Sequence, residues 1–261
     1  MTSAEAARLR EQAVAAARGG RLGDAAALHD RAVALAPGDA SILNSAALYW
    51  SKQGEAERAI ALLRRAIDTD ANNVEPLFNL CLILTGDGRA NEALALLTAS
   101  EPAMQGLARY WSIRAGAERA LGRKRDALAS YEVASQLDPA NAKASHGRAR
   151  MALETGQPAA GLYLQVVGAE PDNAEAWLGY AQALDADRRA DEARNVLETL
   201  IAKAPDWTDA LEALARLRVA SGERDSSCNH YAAAVRQAPQ AAVYASWSRM
   251  LAGVDRFAEA A

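Results

Sequence analysis

The chain contains few of the residues that usually carry chemistry. Its 261 residues include two cysteines, three histidines and only 5% aromatic residues, and the formal net charge is −4. Cys81 and Cys228 stand alone, so they form neither a disulfide framework nor a metal-binding pair. No apolar run approaches the roughly 18 residues of a membrane-spanning helix. The net charge is slightly negative, and basic and acidic residues are interspersed along the chain. Both features argue against a dedicated nucleic-acid binder.

The histidines have no catalytic or metal-binding spacing. His29, His146 and His230 are far apart in the chain, and neither H-x-D nor H-E-x-x-H occurs. Catalysis requires a nucleophile, an acid–base pair or a metal constellation, and none is recognisable. The sequence therefore predicts that this segment is not an enzyme. It also predicts no catalytic residue, no metal-binding residue and no cofactor.

Alanine, by contrast, is abundant, with 65 residues or about a quarter of the chain. Alanine has the highest helix propensity, and its small side chain lets helices pack closely. Small or apolar residues recur at helical spacing, as at Ala59, Leu62, Leu63 and Ala66. Because no convincing strand pattern is visible, the composition and the periodicity together predict an all-α fold.

Small residues recur with a period close to 34 residues. They open every second predicted helix, and four successive intervals are 34 residues long, followed by 32, 34 and 33. The members of this ladder are Ala25, Ala59, Ala93, Ala127, Gly161, Ala193, Ser227 and Ala260. Four prolines follow 12 residues after a ladder residue, at Pro37, Pro139, Pro205 and Pro239. A fixed period of this length indicates a repeat architecture.

The repeated residues resemble the tetratricopeptide repeat, whose pattern is W-x2-L-G-x2-Y, then A-x3-F, then P. The fourth unit carries Trp111, Ala115, Gly122, Ala127, Tyr131, Ala134 and Pro139. The resemblance covers essentially the whole chain and implies a right-handed α-solenoid, in which each repeat pairs a helix A with a helix B. We predict seven full repeats and a truncated eighth, near residues 6–39, 40–73, 74–107, 108–141, 142–173, 174–207, 208–240 and 241–261.

Local signals predict where the helices begin and end. Glycine suits the left-handed C-terminal cap of a helix, and it stands near the end of helix A in six repeats, at Gly20, Gly54, Gly88, Gly122, Gly156 and Gly222. Asp or Asn is expected to cap the next helix A, at Asp39, Asn72, Asn141 and Asn173.

Two repeats depart from the pattern. In the third, Pro102 predicts a short helix B followed by an irregular stretch over residues 101–106. In the fifth, helix B has lost two residues and is predicted to begin with Pro158.

In tetratricopeptide-repeat proteins the A helices line a concave groove that binds peptides or protein surfaces. The resemblance places the second, fifth, ninth, twelfth and thirteenth residues of each repeat in this groove. The cations at these positions in repeats one to five are Arg10, Arg18, Lys52, Arg109, Arg119, Lys143 and Arg150, against the anions Glu75 and Glu154. Repeats six and seven carry Glu175, Asp185, Asp209 and Glu212 against Arg216. Further contacts are expected from Asn44, Phe78, Asn79, Ser112, His146 and Gln182.

The resemblance and this charge pattern predict a non-catalytic scaffold for a protein or peptide segment. The groove is expected to be basic over repeats one to five and acidic in repeats six and seven, and to suit an acidic partner. An alternative is that the chain is the substrate-recognition arm of a larger enzyme whose catalytic domain lies beyond Ala261. That domain could be a sulfotransferase, a glycosyltransferase or an iron- and 2-oxoglutarate-dependent oxygenase.

Both ends of the sequence add an expectation. Charged residues such as Glu5 and Arg8 stand where a signal peptide needs an apolar core, so we expect a cytoplasmic location. The eighth repeat stops one residue after Ala260, within its helix B. Repeat arrays normally finish with a polar capping helix. We therefore expect a fragment of a longer protein, with self-association through the uncapped C-terminal end.

Overall fold

The computed structural model describes residues 2–205 and 207–221, which form thirteen α-helices and no β-strand. The chain divides into two compact units, Met1–Asp138 (unit 1) and Pro139–Ala261 (unit 2). The helices of unit 1 are α1 (Thr2–Arg18), α2 (Leu22–Leu35), α3 (Ala40–Lys52), α4 (Ala56–Thr69), α5 (Val74–Gly86), α6 (Ala90–Met104), α7 (Ala108–Ala120) and α8 (Lys124–Leu137). Those of unit 2 are α9 (Ala142–Glu154), α10 (Ala160–Ala169), α11 (Ala174–Ala186), α12 (Ala190–Lys203) and α13 (Thr208–Ala220). The predicted eighth repeat and its end lie outside the described residues.

Unit 1 is a stack of helix pairs. Helices A (α1, α3, α5 and α7) each pack against the helix B that follows them (α2, α4, α6 and α8), and α2, α4 and α6 also pack against the next helix A. Helices A of neighbouring pairs contact each other directly. Among the described helices of unit 1, helices A approach one another more closely than helices B do. The stack therefore curves with helices A on its inner side.

Unit 2 repeats the same arrangement within itself. Helices α9 and α10, then α11 and α12, form pairs, and α13 packs against α12. Here α9, α11 and α13 are the helices A, and neighbouring ones are in contact. The prediction of an all-α helical-repeat solenoid is confirmed. The placement of the individual repeat borders stays a prediction.

The core consists mainly of alanine and leucine, as the composition predicted. Five residues of the small-residue ladder have no exposed surface, namely Ala25, Ala59, Ala93, Ala127 and Ala193. One apolar cluster in unit 1 extends from α3 to α7, and its largest fully buried side chains are Tyr110 and Phe78. Two smaller clusters lie at α1, α2 and α3. Each helix pair thus buries its apolar face against its neighbours.

The predicted helix caps are largely present. The five glycines Gly20, Gly54, Gly88, Gly122 and Gly156 have φ between +73° and +83°, the left-handed conformation that favours glycine. Side chains of Asp39, Asn141 and Asn173 accept hydrogen bonds from amides of the first turn that follows. At α5 the capping residue is Asn73. The prediction of Asn72 is therefore one residue too early.

The prediction of a short helix B in the third repeat is wrong. Helix α6 continues through Pro102 to Met104 and has 15 residues. Pro102 is exposed, so the carbonyl that lacks its amide partner can be hydrated. Beyond it, Met104 is buried at 7% exposure, and Arg114 forms an ion pair with Glu101. These tertiary contacts outweigh the local preference of proline to end the helix.

The fifth repeat does have a short helix B. Helix α10 has 10 residues, against 14 or 15 for the other helices B that the structure describes. It begins at Ala160 rather than at Pro158. Pro158 thus lies in the connection, two residues before the helix.

Candidate binding face

The exposed residues of helices A in unit 1 form one continuous surface, which we call the A face. On α3 the exposed residues Ser41, Leu48 and Lys52 are spaced by seven and four, so they share one side of the helix. On α5, Glu75 and Leu82 occupy the same positions one repeat later. The A face is therefore a set of parallel stripes, one for each helix A.

Side-chain contacts fix neighbouring stripes to each other. Asn79 Nδ2 donates a hydrogen bond to Asn44 Oδ1 at 2.8 Å, which joins α5 directly to α3. The Arg109 guanidinium on α7 pairs with Glu75 on α5 and lies 5.1 Å from the centre of the Phe78 ring. Helices A of unit 1 are thus held in a defined register by polar contacts on or just beneath this face.

Most acidic side chains of helices A in unit 1 already have a basic partner. Glu75 pairs with Arg109, and Glu118 accepts from Arg114 Nε at 3.0 Å. The two closest atoms of the Arg10 and Glu11 side chains are 4.0 Å apart, and Arg10 also donates to Ser41 Oγ. Little uncompensated negative charge therefore remains on this side of unit 1.

Three exposed cations lie along one edge of the A face. Arg18, Lys52 and Arg119 are at or near the C-terminal ends of α1, α3 and α7. Within the described part of the chain, none of the three forms an ion pair or a side-chain hydrogen bond. These residues were predicted from their repeat positions, and we call them the edge cations.

Burial separates the predicted groove residues into two groups. Phe78 is 2% exposed, Ser112 is 7% exposed and Asn79 is 8% exposed. Ser112 donates a hydrogen bond to the carbonyl of Ala108 within its own helix. These three side chains pack within unit 1, and only Asn44, which is half-buried, comes closer to the surface. We therefore leave Phe78, Asn79 and Ser112 out of the proposed contact surface.

Sequence reasoning missed two apolar residues on the A face. Leu48 is 39% exposed and Leu82 is 40% exposed, whereas Leu43 and Leu84 on the same two helices have no exposed surface. Both occupy the ninth position of their repeats, which is one of the groove positions. This repeat position was the signal in the sequence that could have placed both leucines on the A face.

In unit 2 the predicted residues fall on helices A but differ in their surroundings. The Nε atom of Arg150 lies 3.0 Å from Glu154 Oε1. The half-buried His146 has its ring centre 6.0 Å from that of Tyr163. Gln182 lines a cavity of about 320 Å³ together with Asp185 and Arg216. Leu153, Ala181, Leu197, Ala213 and Leu217 form the rest of its wall.

Burial shifts the pKa values of two side chains that sequence analysis considered, Cys81 and His29. Burial raises the pKa of the Cys81 thiol to about 12, so it stays protonated near neutral pH. Burial also lowers the pKa of His29, which the nearby Asp30 carboxylate only partly offsets. Among the described residues, no group of histidine, cysteine and acidic side chains could hold a metal ion. Within the same residues, no helix is long and apolar enough to cross a membrane.

The sequence comparison identifies the repeat. A sequence model of the family described as Tetratricopeptide repeat matches residues 51–116 and 159–217. No protein of curated function matches the chain in sequence.

Solved structures share the fold at low sequence identity. A tetratricopeptide repeat protein from Parabacteroides merdae is 20% identical, with a TM-score of 0.68 over 85% of this chain and 89% of its own. PilW, described as a widely conserved type IV pilus biogenesis factor, is 18% identical, with a TM-score of 0.71 over 80% of this chain and 98% of its own.

YrrB, described as a TPR protein with an unusual peptide-binding site, is 18% identical, with a TM-score of 0.57 over 71% of this chain and 96% of its own. At these identities the likeness concerns the fold alone. With its stacked helix pairs, left-handed glycine caps and two matched segments, the chain contains tetratricopeptide repeats over residues 51–116 and 159–217 and shares the fold of tetratricopeptide-repeat proteins.

Proposed function

We propose that the chain is a protein-interaction scaffold whose A face in unit 1 binds a negatively charged segment of another protein. The observation that carries this proposal is the row of edge cations, Arg18, Lys52 and Arg119, which have no counter-ion among residues 2–138. A carboxylate can approach such a cation without displacing an existing ion pair. Charge complementarity of this kind also raises the rate of association and selects among partners.

The pairing of the other charges strengthens this interpretation. Arg109 and Arg150 belong to the predicted basic set, but their partners Glu75 and Glu154 reduce their attraction for an incoming anion. Among the predicted basic residues of unit 1, the edge cations are therefore the ones whose charge is available to a partner. In unit 2 the exposed Glu175, Asp185 and Asp209 support our proposal of an acidic A face for that unit.

The structural neighbours are consistent with a binding role. YrrB carries a peptide-binding site on the same fold, and PilW serves in the biogenesis of a pilus assembly. We extend to this chain only the general role of a scaffold. If the chain is instead the recognition arm of a larger enzyme, the same face would bind the substrate. We place this binding in the cytoplasm, where a free thiol such as Cys81 stays reduced.

Charge reversal of the edge cations tests the proposal. The probe is a fluorescein-labelled synthetic peptide of Asp, Glu, Ser and Leu, and its twin has Asn and Gln in place of Asp and Glu. In the triple variant Arg18→Glu, Lys52→Glu, Arg119→Glu, the three weak attractions between the edge cations and the carboxylates of the peptide become repulsions. Exposed ion pairs are each worth about 0.2–1 kcal/mol. We therefore expect the affinity measured by fluorescence anisotropy to fall about tenfold or more.

A matched control separates the A face from net charge. Arg31, Arg65 and Arg125 are exposed on helices B of unit 1, and their reversal to Glu changes the net charge equally. We expect this control triple to bind the acidic peptide nearly as the parent does, and the twin to bind weakly to every variant. The proposal would be contradicted if both triple variants lost the same affinity for the acidic peptide. It would also be contradicted if the parent bound the acidic peptide and its uncharged twin equally well. Circular dichroism confirms that each variant remains helical.

A further inference from the structure

The two exposed leucines of the A face are neighbours in space. Asn44 lies one turn before Leu48 on α3, and Asn79 lies three residues before Leu82 on α5. The hydrogen bond between Asn44 and Asn79 brings those two turns into direct contact. Leu48 and Leu82 therefore project from adjacent turns of two packed helices. They form the pair of large exposed apolar side chains on the described A face, and we call them the leucine pair.

The leucine pair has clear limits along the stack. Val14 on α1 and Gly116 on α7 occupy the same repeat position on the two outer helices. Val14 is shorter than leucine and only half-exposed, and Gly116 has no side chain. The A face of unit 1 thus offers two large apolar contacts, one on α3 and one on α5. The edge cations on α1, α3 and α7 lie about one helical turn further on.

The general spacing of packed helices, applied to α3 and α5, sets the spacing that we expect in a bound chain. Packed helices have axes about 8–10 Å apart. A chain in the polyproline II conformation advances about 3.1 Å per residue and returns to the same side every third residue, after about 9 Å. In a β-strand, the two-residue repeat covers only about 7 Å. A period of three residues therefore matches the step from one helix A to the next.

We infer that the segment bound by unit 1 is extended, with two apolar side chains three residues apart resting on the leucine pair and acidic side chains facing the edge cations. This inference rests on the proposed function and specifies its ligand. The apolar side chains bury the exposed surface of Leu48 and Leu82. The carboxylates supply the counter-ions that Arg18, Lys52 and Arg119 lack.

Synthetic peptides of one composition test the spacing. All contain the same Asp, Glu, Ser and two Leu residues, and only the separation of the leucines changes, from two to three to four residues. We expect the peptide with leucines three residues apart to bind the parent chain about fivefold more tightly than either of the others. Fluorescence anisotropy and competition by unlabelled peptide provide the affinities.

Two leucine variants provide the matched comparison. The variant Leu48→Ser, Leu82→Ser should lose the preference for the three-residue spacing and bind all three peptides with similar, reduced affinity. Leu22 and Leu137 are 46% and 45% exposed on α2 and α8, outside helices A. The variant Leu22→Ser, Leu137→Ser should keep the preference, which shows that general loss of surface leucine has no effect.

The outcomes separate this inference from the proposed function. If the parent binds all three peptides equally and still depends on the edge cations, the spacing is wrong and the scaffold stands. If the leucine variant on helices A keeps the preference, the leucine pair is not the contact. If none of the acidic peptides binds the folded parent chain, both the inference and the proposed function are overturned.

Discussion

The phenol ring of Tyr163 on α10 fills the space beside Gly179 on α11 in which any other residue would place its Cβ atom. Tyr163 is 3% exposed and also contacts the ring of His146, so it has little room to turn away. This close approach lets the shortest helix B of the described chain pack tightly against the next helix A. The glycine is therefore required by packing and not by backbone conformation.

We predict that Gly179→Ala destabilises the protein. Overpacking costs about 1–3 kcal/mol, and the gain in helix propensity returns about 1 kcal/mol. The net loss should lower the midpoint of thermal unfolding by a few degrees, since about 2–4 °C corresponds to 1 kcal/mol in a chain of this size. Gly116→Ala is the control, because a Cβ atom at Gly116 meets no atom within 4 Å. That control should stabilise the protein, and an equal gain for Gly179→Ala would show that the contact is unimportant.

Arg188 is predicted to be a site where glycine improves stability. It has φ of 60° at the turn after α11, where the other described repeats have glycine. A residue with a side chain is about 1–2 kcal/mol less stable than glycine in a left-handed conformation. Glycine offsets part of this difference, because it gives the unfolded chain more conformational entropy. Arg188→Gly should therefore raise the free energy of unfolding, measured by urea denaturation, by about 0.5–1 kcal/mol, with a corresponding rise in the midpoint. A lower midpoint would mean that the Arg188 side chain makes a stabilising contact.

Glu118 is predicted to depend on Arg114. Its side chain is 4% exposed and accepts hydrogen bonds from Ser130 Oγ at 2.7 Å and from Arg114 Nε at 3.0 Å. Arg114→Met should cost about 3 kcal/mol in urea unfolding, because it leaves a buried carboxylate without its cation. In a Glu118→Gln background the same change should cost clearly less. Equal losses in the two backgrounds would show that the two side chains are not coupled.

His29 is predicted to make stability depend on pH. Its side chain is 1% exposed, its Nδ1 has no hydrogen-bond partner among the described residues, and burial lowers its pKa. The unfolded chain takes up a proton below about pH 6.5 while the folded chain does not. Stability is therefore retained above that pH and falls as the pH decreases below it.

The variant His29→Leu measures this contribution. It should be more stable than the parent by about 1 kcal/mol near neutral pH, because it removes an unpaired buried polar atom. The advantage should grow as the pH falls from about 7.5 to about 5.5. An advantage that stays constant over this range would show that His29 does not contribute to the pH dependence.

The fold was largely predictable because its signals are local and repeated. Glycine at the end of most described helices A and alanine at most close contacts recur at a fixed period, so errors at single positions do not change the assignment. The length of α6 was not predictable, because Met104 and Glu101 are held by contacts to other helices. Arg188 shows the same limit, since a left-handed turn formed there without glycine.

The candidate site was only partly predictable. The repeat register correctly placed Arg18, Lys52 and Arg119 on exposed stretches of helices A. It did not reveal that Arg109 is paired, although Glu75 stands 34 residues earlier in the same repeat position. The burial of Phe78 depends on how α5 packs against its neighbours, which a single helix pattern does not contain.

The central claim is that unit 1 selects its partner by the edge cations and the leucine pair. The most direct measurement is selection from an unbiased random peptide library, run in parallel on the parent chain and on the triple variant Arg18→Glu, Lys52→Glu, Arg119→Glu. The account predicts that peptides recovered by the parent alone are rich in Asp and Glu and carry two apolar residues three positions apart. Recovery of the same peptides by both proteins, or enrichment without acidic residues, would contradict it.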